Sequence, residues 1–179
     1  MLRFSSSTIH AAAAAALLAL SQPAAAQDAG STLPGGASSL QETYQDWSLA
    51  CQGTPKAVCA VSQQQTQQNG QRVLAIELRR GADGGVSGTL VLPFGLLLDA
   101  GVTLQIDDGQ PRAPLRYSTC LPGGCLAPLS FDAKTVAALR TATALKIKVQ
   151  GMDKKEVALS VSLKGLAAAL DRLKALAGA

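Results

Sequence analysis

Beyond residue 10 the chain has no histidine: the single one is His10. That removes Ser-His-Asp and Cys-His nucleophile activation, histidine general bases, and nearly every ordinary zinc or iron site. Aromatic residues make up only 3% of the chain, and after Phe4 they reduce to Tyr44, Trp47, Phe94, Tyr117 and Phe131. So few rings give little material for the aromatic platforms of a glycan-cleaving cleft. No stretch after the N-terminal region approaches the roughly 20 uncharged apolar residues that a membrane-spanning helix needs.

What is present at the N-terminus reads as an export signal. Arg3 precedes an apolar run, Ile9 to Leu20, which is short for a bilayer span, and Ala24-Ala25-Ala26 follows as an A-x-A cleavage site. Residues 1–26 are therefore expected to be a signal peptide. No cysteine closely follows the expected cut, which argues against a lipid anchor. Residues 27–42, rich in Gly, Ser, Ala and Pro, are expected to form a disordered lead-in. Residues 43–179 are expected to make a single domain.

Charge is mild and unevenly spread. Without residues 1–26, 15 of the 16 basic residues and all 12 acidic ones remain, a net +3, which is too weak to imply a nucleic-acid partner. From Asp132 to Lys174, nine basic residues stand against four acidic ones. A basic face of this kind can meet the phosphates of lipid headgroups or lipopolysaccharide, or it can simply be a solvated surface.

The rest of the chain is written mostly in period two. Trp47, Leu49 and Cys51 share one face of a strand, and Leu74, Ile76 and Leu78 share one face of another. Between them, Gln63 to Gln68 runs out to Asn69-Gly70, a tight-turn dipeptide. Leu90, Leu92 and Phe94, and then Val102, Leu104 and Ile106, read as two strands of a hairpin that meet at an apolar, Leu-rich corner. Asp107-Asp108-Gly109 closes the second as a turn. It lacks the ligand series of a calcium loop. Phe131-Asp132 begins a short helix, with Asp132 as N-cap and Phe131 and Val136 as a hydrophobic staple. Leu145, Ile147 and Val149, then Val157, Leu159 and Val161, mark two more strands around the charged turn Gly151 to Lys155. Leu166, Leu170, Leu173 and Leu176 then recur at helical spacing. The pattern predicts an all-β antiparallel β-sandwich, immunoglobulin-like or jelly-roll-like, with a short inserted helix and a C-terminal amphipathic helix. A barrel is the alternative.

Four cysteines follow residue 26, and four allow three pairings. In an oxidising compartment the local pairs Cys51 with Cys59 and Cys120 with Cys125 fit adjacent strands and a sharp turn. A thiol redox role for the Cys120-Leu-Pro-Gly-Gly-Cys125 loop is an alternative, although it lacks the C-x-x-C spacing of oxidoreductases. A zinc site on these spacings is weaker still.

DWSLAC at 46–51 with Cys59, LPFGLLLDAGVTLQIDDG at 92–109, CLPGGC at 120–125 and SLKGLAAAL at 162–170 together resemble the invasion-associated locus B (IalB) family. Leu166 stands where that family often has Phe. The resemblance implies a β-sandwich protein that is periplasmic, outer-membrane-associated or secreted, with founding members linked to invasion of host red cells. It supplies no catalytic motif.

The resulting expectation is an exported, non-enzymatic envelope or secreted binding protein with no cofactor, no catalytic residues and no metal ligands. Its partner is expected to be an unidentified envelope or host protein, or an anionic lipid or lipopolysaccharide surface. The expected contact residues are Phe94, Leu96, Leu97 and Leu98, together with Lys146, Lys148, Lys154 and Lys155. The alternatives are a carboxylate-dependent envelope glycan hydrolase built on Asp99, Asp107 and Asp108, and the thiol redox accessory.

Overall fold

The computed structural model describes residues 33–53 and 56–176. The expected signal peptide and residues 27–32 of the expected lead-in lie outside them. In chain order the described residues form β1 (Ser39–Tyr44), β2 (Trp47–Gln52), β3 (Val58–Thr66), β4 (Arg72–Arg80), β5 (Val86–Leu92), β6 (Thr103–Ile106), β7 (Thr119–Leu121), β8 (Gly124–Phe131), helix α1 (Ala133–Thr141), β9 (Ala144–Gln150), β10 (Glu156–Ser162) and helix α2 (Leu166–Leu176). The strands build two antiparallel sheets. One has seven strands in the order β1-β2-β3-β4-β5-β8-β7, and the other three in the order β10-β9-β6.

Period-two alternation gives each sheet one apolar face, and register aligns those faces across strands. In the large sheet Leu49, Val61, Leu78, Gly88 and Leu129 form one cross-strand row. Gln63, Ile76, Leu90 and Ala127 form the next. In the small sheet Leu104, Ile147 and Leu159 align, as do Ile106, Leu145 and Val161. These faces, with Leu139 of α1 and Leu166, Leu170, Leu173 and Leu176 of α2, make one buried cluster. The architecture is an all-β sandwich carrying two helices.

The helices start as the sequence predicts. The Asp132 carboxylate accepts from the Thr135 N–H at 2.8 Å, a side-chain N-cap, and Phe131 and Val136 are both buried beside it. Gly165 lets α2 leave β10. Its φ is +87°, and a Cβ there would run into the main-chain carbonyl of Tyr44.

Two expectations are corrected. Leu90 to Ile106 is not a hairpin: β5 is already flanked by β4 and β8, whereas β6 pairs with β9 in the other sheet. The Leu-rich corner is thus a crossover between layers. The described part of the lead-in is also ordered. Leu33 is buried, and β1 begins at Ser39 and pairs with β2 along its whole length.

Both local cysteine pairings form, Cys51 with Cys59 and Cys120 with Cys125. Each joins residues that sit opposite one another in register, β2 to β3 and β7 to β8. No free cysteine remains among the described residues.

Candidate functional site

The crossover between β5 and β6 leaves the large sheet at Pro93 and must reach the small one. On the way it lies against the turn between β9 and β10. Leu96 forms an isolated bridge with Gly151. The Leu97 N–H donates to the Gln150 carbonyl at 2.8 Å, and the Met152 N–H donates to the Gly95 carbonyl at 3.0 Å. Thus the apolar segment Phe94–Leu98 and the charged turn 151–155, two regions read separately in the sequence, meet at one end of the sandwich.

Their backbones are tied down, yet their apolar side chains face water. Phe94 is 60% exposed, Met152 76% and Leu98 44%. A phenyl ring and a thioether held out on hydrogen-bonded backbone differ from the partly covered leucines that dot any surface. Leu96 and Leu97 are only half-buried, with Leu96 packed on the core. The β7–β8 turn lies at the same end of the large sheet, since Leu92 pairs with Cys125, and it adds exposed Leu121.

The turn is braced by its own polar groups. The Gly151 N–H donates to the Lys155 carbonyl at 2.9 Å, and the Lys154 N–H donates to the Gly151 carbonyl at 2.8 Å. The Asp153 carboxylate accepts from the Lys155 N–H at 3.1 Å. Lys154 takes the left-handed conformation, with φ +64°.

Ion pairs divide the four lysines. Lys146 meets Asp108 at 2.6 Å and holds that carboxyl below its usual value of 3.8, chiefly by hydrogen bonding. Lys148 meets Glu156 at 3.4 Å, and Lys155 meets Asp153 at 3.4 Å. Lys154 has no ion pair among the described residues. The strand lysines therefore carry charge that neighbours offset, while Lys154 stands in the turn beside Met152.

The carboxylates considered for glycan cleavage lie in two different places. Asp107 accepts from the Thr143 and Ala144 N–H groups at 3.1 and 2.8 Å, fixing the β6–β9 connection. Asp108 is held by Lys146. Asp99 lines a shallow cleft of about 420 Å³ with Arg116 and Tyr117. Burial raises the Tyr117 hydroxyl to about 12, and its oxygen has no hydrogen-bond partner among the described residues.

Two contributors were missed in the sequence. Met152 lies inside a turn whose composition is dominated by charges, although an apolar residue between Gly151 and Asp153 at a turn tip is itself a signal. Leu121 is masked in the sequence by its place in the cysteine loop 120–125.

Comparison with known proteins places the chain. Residues 47–174 match the family model "Invasion associated locus B (IalB) protein". An Invasion protein B homolog of Brucella abortus (strain 2308) is 52% identical over 148 residues, covering 81% of this chain and 85% of that protein. Invasion protein B of Bartonella bacilliformis is 36% identical over 160 residues, covering 87% and 86%. The crystal structure of invasion associated protein B from Bartonella henselae superposes with a TM-score of 0.72 at 38% identity, covering 76% of this chain and 96% of that one. The chain belongs to the invasion associated locus B (IalB) protein family.

Proposed function

We propose that this chain is an exported, non-enzymatic binding protein of the bacterial envelope or the secreted fraction, and that it docks a partner protein through the end of the sandwich carrying Phe94, Leu98 and Met152. The observation that carries the reading is the Met152-to-Gly95 hydrogen bond. It holds two large, solvent-exposed apolar side chains on a braced platform, which lowers the ordering cost of binding. Interface energy concentrates in such preorganised anchors. Two disulfides suit an oxidising compartment. Among the described residues no helix is long and apolar enough to cross a membrane. The names of the relatives bring invasion of a host to this chain as one setting for the interaction.

A second reading, contact with anionic headgroups or lipopolysaccharide, is favoured by Lys154 beside Met152, because apolar side chains flanked by cations suit a charged lipid surface. The test is retention of the purified protein on envelopes of the producing bacterium and on anionic or neutral vesicles at low salt. The doubly substituted Phe94→Ser/Met152→Ser protein should lose about tenfold or more of envelope retention with an unchanged melting temperature. Undiminished retention would overturn the proposal. Equal loss on anionic vesicles, absent on neutral ones, would select the lipid reading.

A further inference from the structure

At the opposite end of β4 and β5, a crevice of about 300 Å³ opens between α1, α2 and the β4–β5 turn. Its origin can be read residue by residue. Ala133, Val136, Ala137 and Arg140 recur at helical spacing along one side of α1 and line it. Leu170, Leu173 and Lys174 line it from α2, and Gly84 and Gly85 close one end. Alanines and glycines supply walls without bulk, so the helices meet over an unfilled groove. Three apolar residues that line it, Val136 at 8%, Leu170 at 7% and Val86 at 6%, are the least covered of the buried hydrophobic residues.

Three cations, Arg80, Arg140 and Lys174, and one carboxylate, Asp171, line the crevice, so its charge is net positive. Arg80 and Lys174 make no ion pair or side-chain hydrogen bond among the described residues, whereas Arg140 is committed to the Asp171 carboxylate at 2.8 and 2.9 Å and to the Ala167 carbonyl. Lys174 feels the Asp171 carboxylate without an ion-pair contact, and an apolar floor with this net positive mouth is complementary to a molecule that has an apolar tail and an anionic head.

We propose that this crevice binds a single-chain anionic amphiphile of the fatty-acid carboxylate class, with the tail over Val86, Val136 and Leu170 and the carboxylate between Arg80 and Lys174. The site is separate from the Phe94–Met152 surface and does not depend on it. A floor this size selects one chain over the paired chains of a bilayer lipid.

The test is an NMR titration of the purified protein with decanoate, decanol and butyrate. Decanoate should shift amide signals of Val86, Ala133, Val136, Ala137 and Lys174, with the Phe94 and Met152 signals unmoved. Shortening to butyrate should weaken binding about fourfold per methylene lost, and decanol should bind about tenfold more weakly than decanoate. Ala137 is exposed on α1, so Ala137→Trp fills the groove from outside and should abolish the shifts. Arg80→Ser/Lys174→Ser changes only exposed side chains and should weaken decanoate while leaving decanol unaffected, an independent arm if the tryptophan variant misfolds. Shifts scattered over the surface, butyrate binding as well as decanoate, or full binding by Ala137→Trp with a native spectrum would each overturn the proposal.

Discussion

The indole Nε1 of Trp47 donates to the main-chain carbonyl of Ser162 at 2.9 Å, so the only tryptophan of the chain ties the second strand of the large sheet to the edge strand of the small one. The same carbonyl accepts from Gln63 Nε2 at 3.0 Å, and Gln65 reaches the Ser160 carbonyl at 2.6 Å. An edge strand exposes unpaired carbonyls, and here three side chains from the facing sheet satisfy two of them. Trp47→Phe keeps a ring in the core but leaves that clasp short of a donor. It should lower stability by about 1–3 kcal/mol, measured by denaturant unfolding.

Tyr117 supplies the converse case. Its hydroxyl is sheltered from water without a hydrogen-bond partner among the described residues, which is costly for a polar group. Tyr117→Phe should leave stability unchanged or raise it by about 1 kcal/mol. In the parent protein the hydroxyl is raised from 10.0 to about 12 by burial. The unfolded chain ionises this phenol near pH 10 while the folded protein resists until about 12, so stability falls as pH rises through that window and the variant should show a shallower alkaline decline. A loss of more than about 1 kcal/mol in Tyr117→Phe at neutral pH would mean that the hydroxyl has a partner.

Part of the acid sensitivity should be traceable to one bidentate pair, beside the lowered carboxyls of Asp108, Asp132 and Asp171. Arg172 Nη2 and Nε donate to Glu42 at 2.8 and 3.0 Å. That hydrogen bonding, with the Tyr44 hydroxyl second, holds the Glu42 carboxyl below its usual 4.5. A carboxyl with a lowered folded value stabilises the protein above its unfolded value, and that stability is lost as pH falls through the folded one. Glu42→Gln should therefore flatten the fall in melting temperature below about pH 4.5. Parent and variant should differ most at neutral pH and converge in acid.

Gly165 is the position least tolerant of a side chain. Its positive φ and the Tyr44 carbonyl against its α-carbon make Gly165→Ala a backbone and a steric problem together. It should cost about 3 kcal/mol or more, seen as a lowered denaturant midpoint. The exposed substitution Gly70→Ala, with φ +79° but open space around it, should cost only about 1 kcal/mol.

Strand faces, turns and caps were legible in the sequence because they are local. Alternation in Leu74-Ile76-Leu78, the Asn69-Gly70 turn, the Asp132 cap and both cysteine pairs required only neighbours along the chain. Partner choice was not legible. Leu90 to Leu92 and Leu104 to Ile106 have the same periodicity whether they pair with each other or, as here, with β8 and β9, because a period of two fixes a face and not a sheet. Ser39 to Tyr44 hid its strand in a polar, Gly-rich context, since its ordering comes from pairing with β2 and from Arg172, which is 130 positions away from Glu42. The candidate surface was half legible. Phe94 was visible as an apolar residue in a bend, but its meeting with Met152 depends on a long-range hydrogen bond. The crevice between the helices was invisible, because it is made by what Ala133, Ala137 and Gly84 leave unfilled.

The measurement that bears most directly on the account places a photo-crosslinking side chain at position 152 in one protein and at position 58 in another, both in intact producing bacteria. Val58 is likewise a solvent-exposed apolar residue, at 54% against 76% for Met152, but lies at the other end of the large sheet. The account predicts a discrete crosslinked species from position 152 and none from position 58, competed by excess parent protein and not by Phe94→Ser/Met152→Ser. Equal labelling from both positions, or competition by the double variant as strong as by the parent, would contradict it.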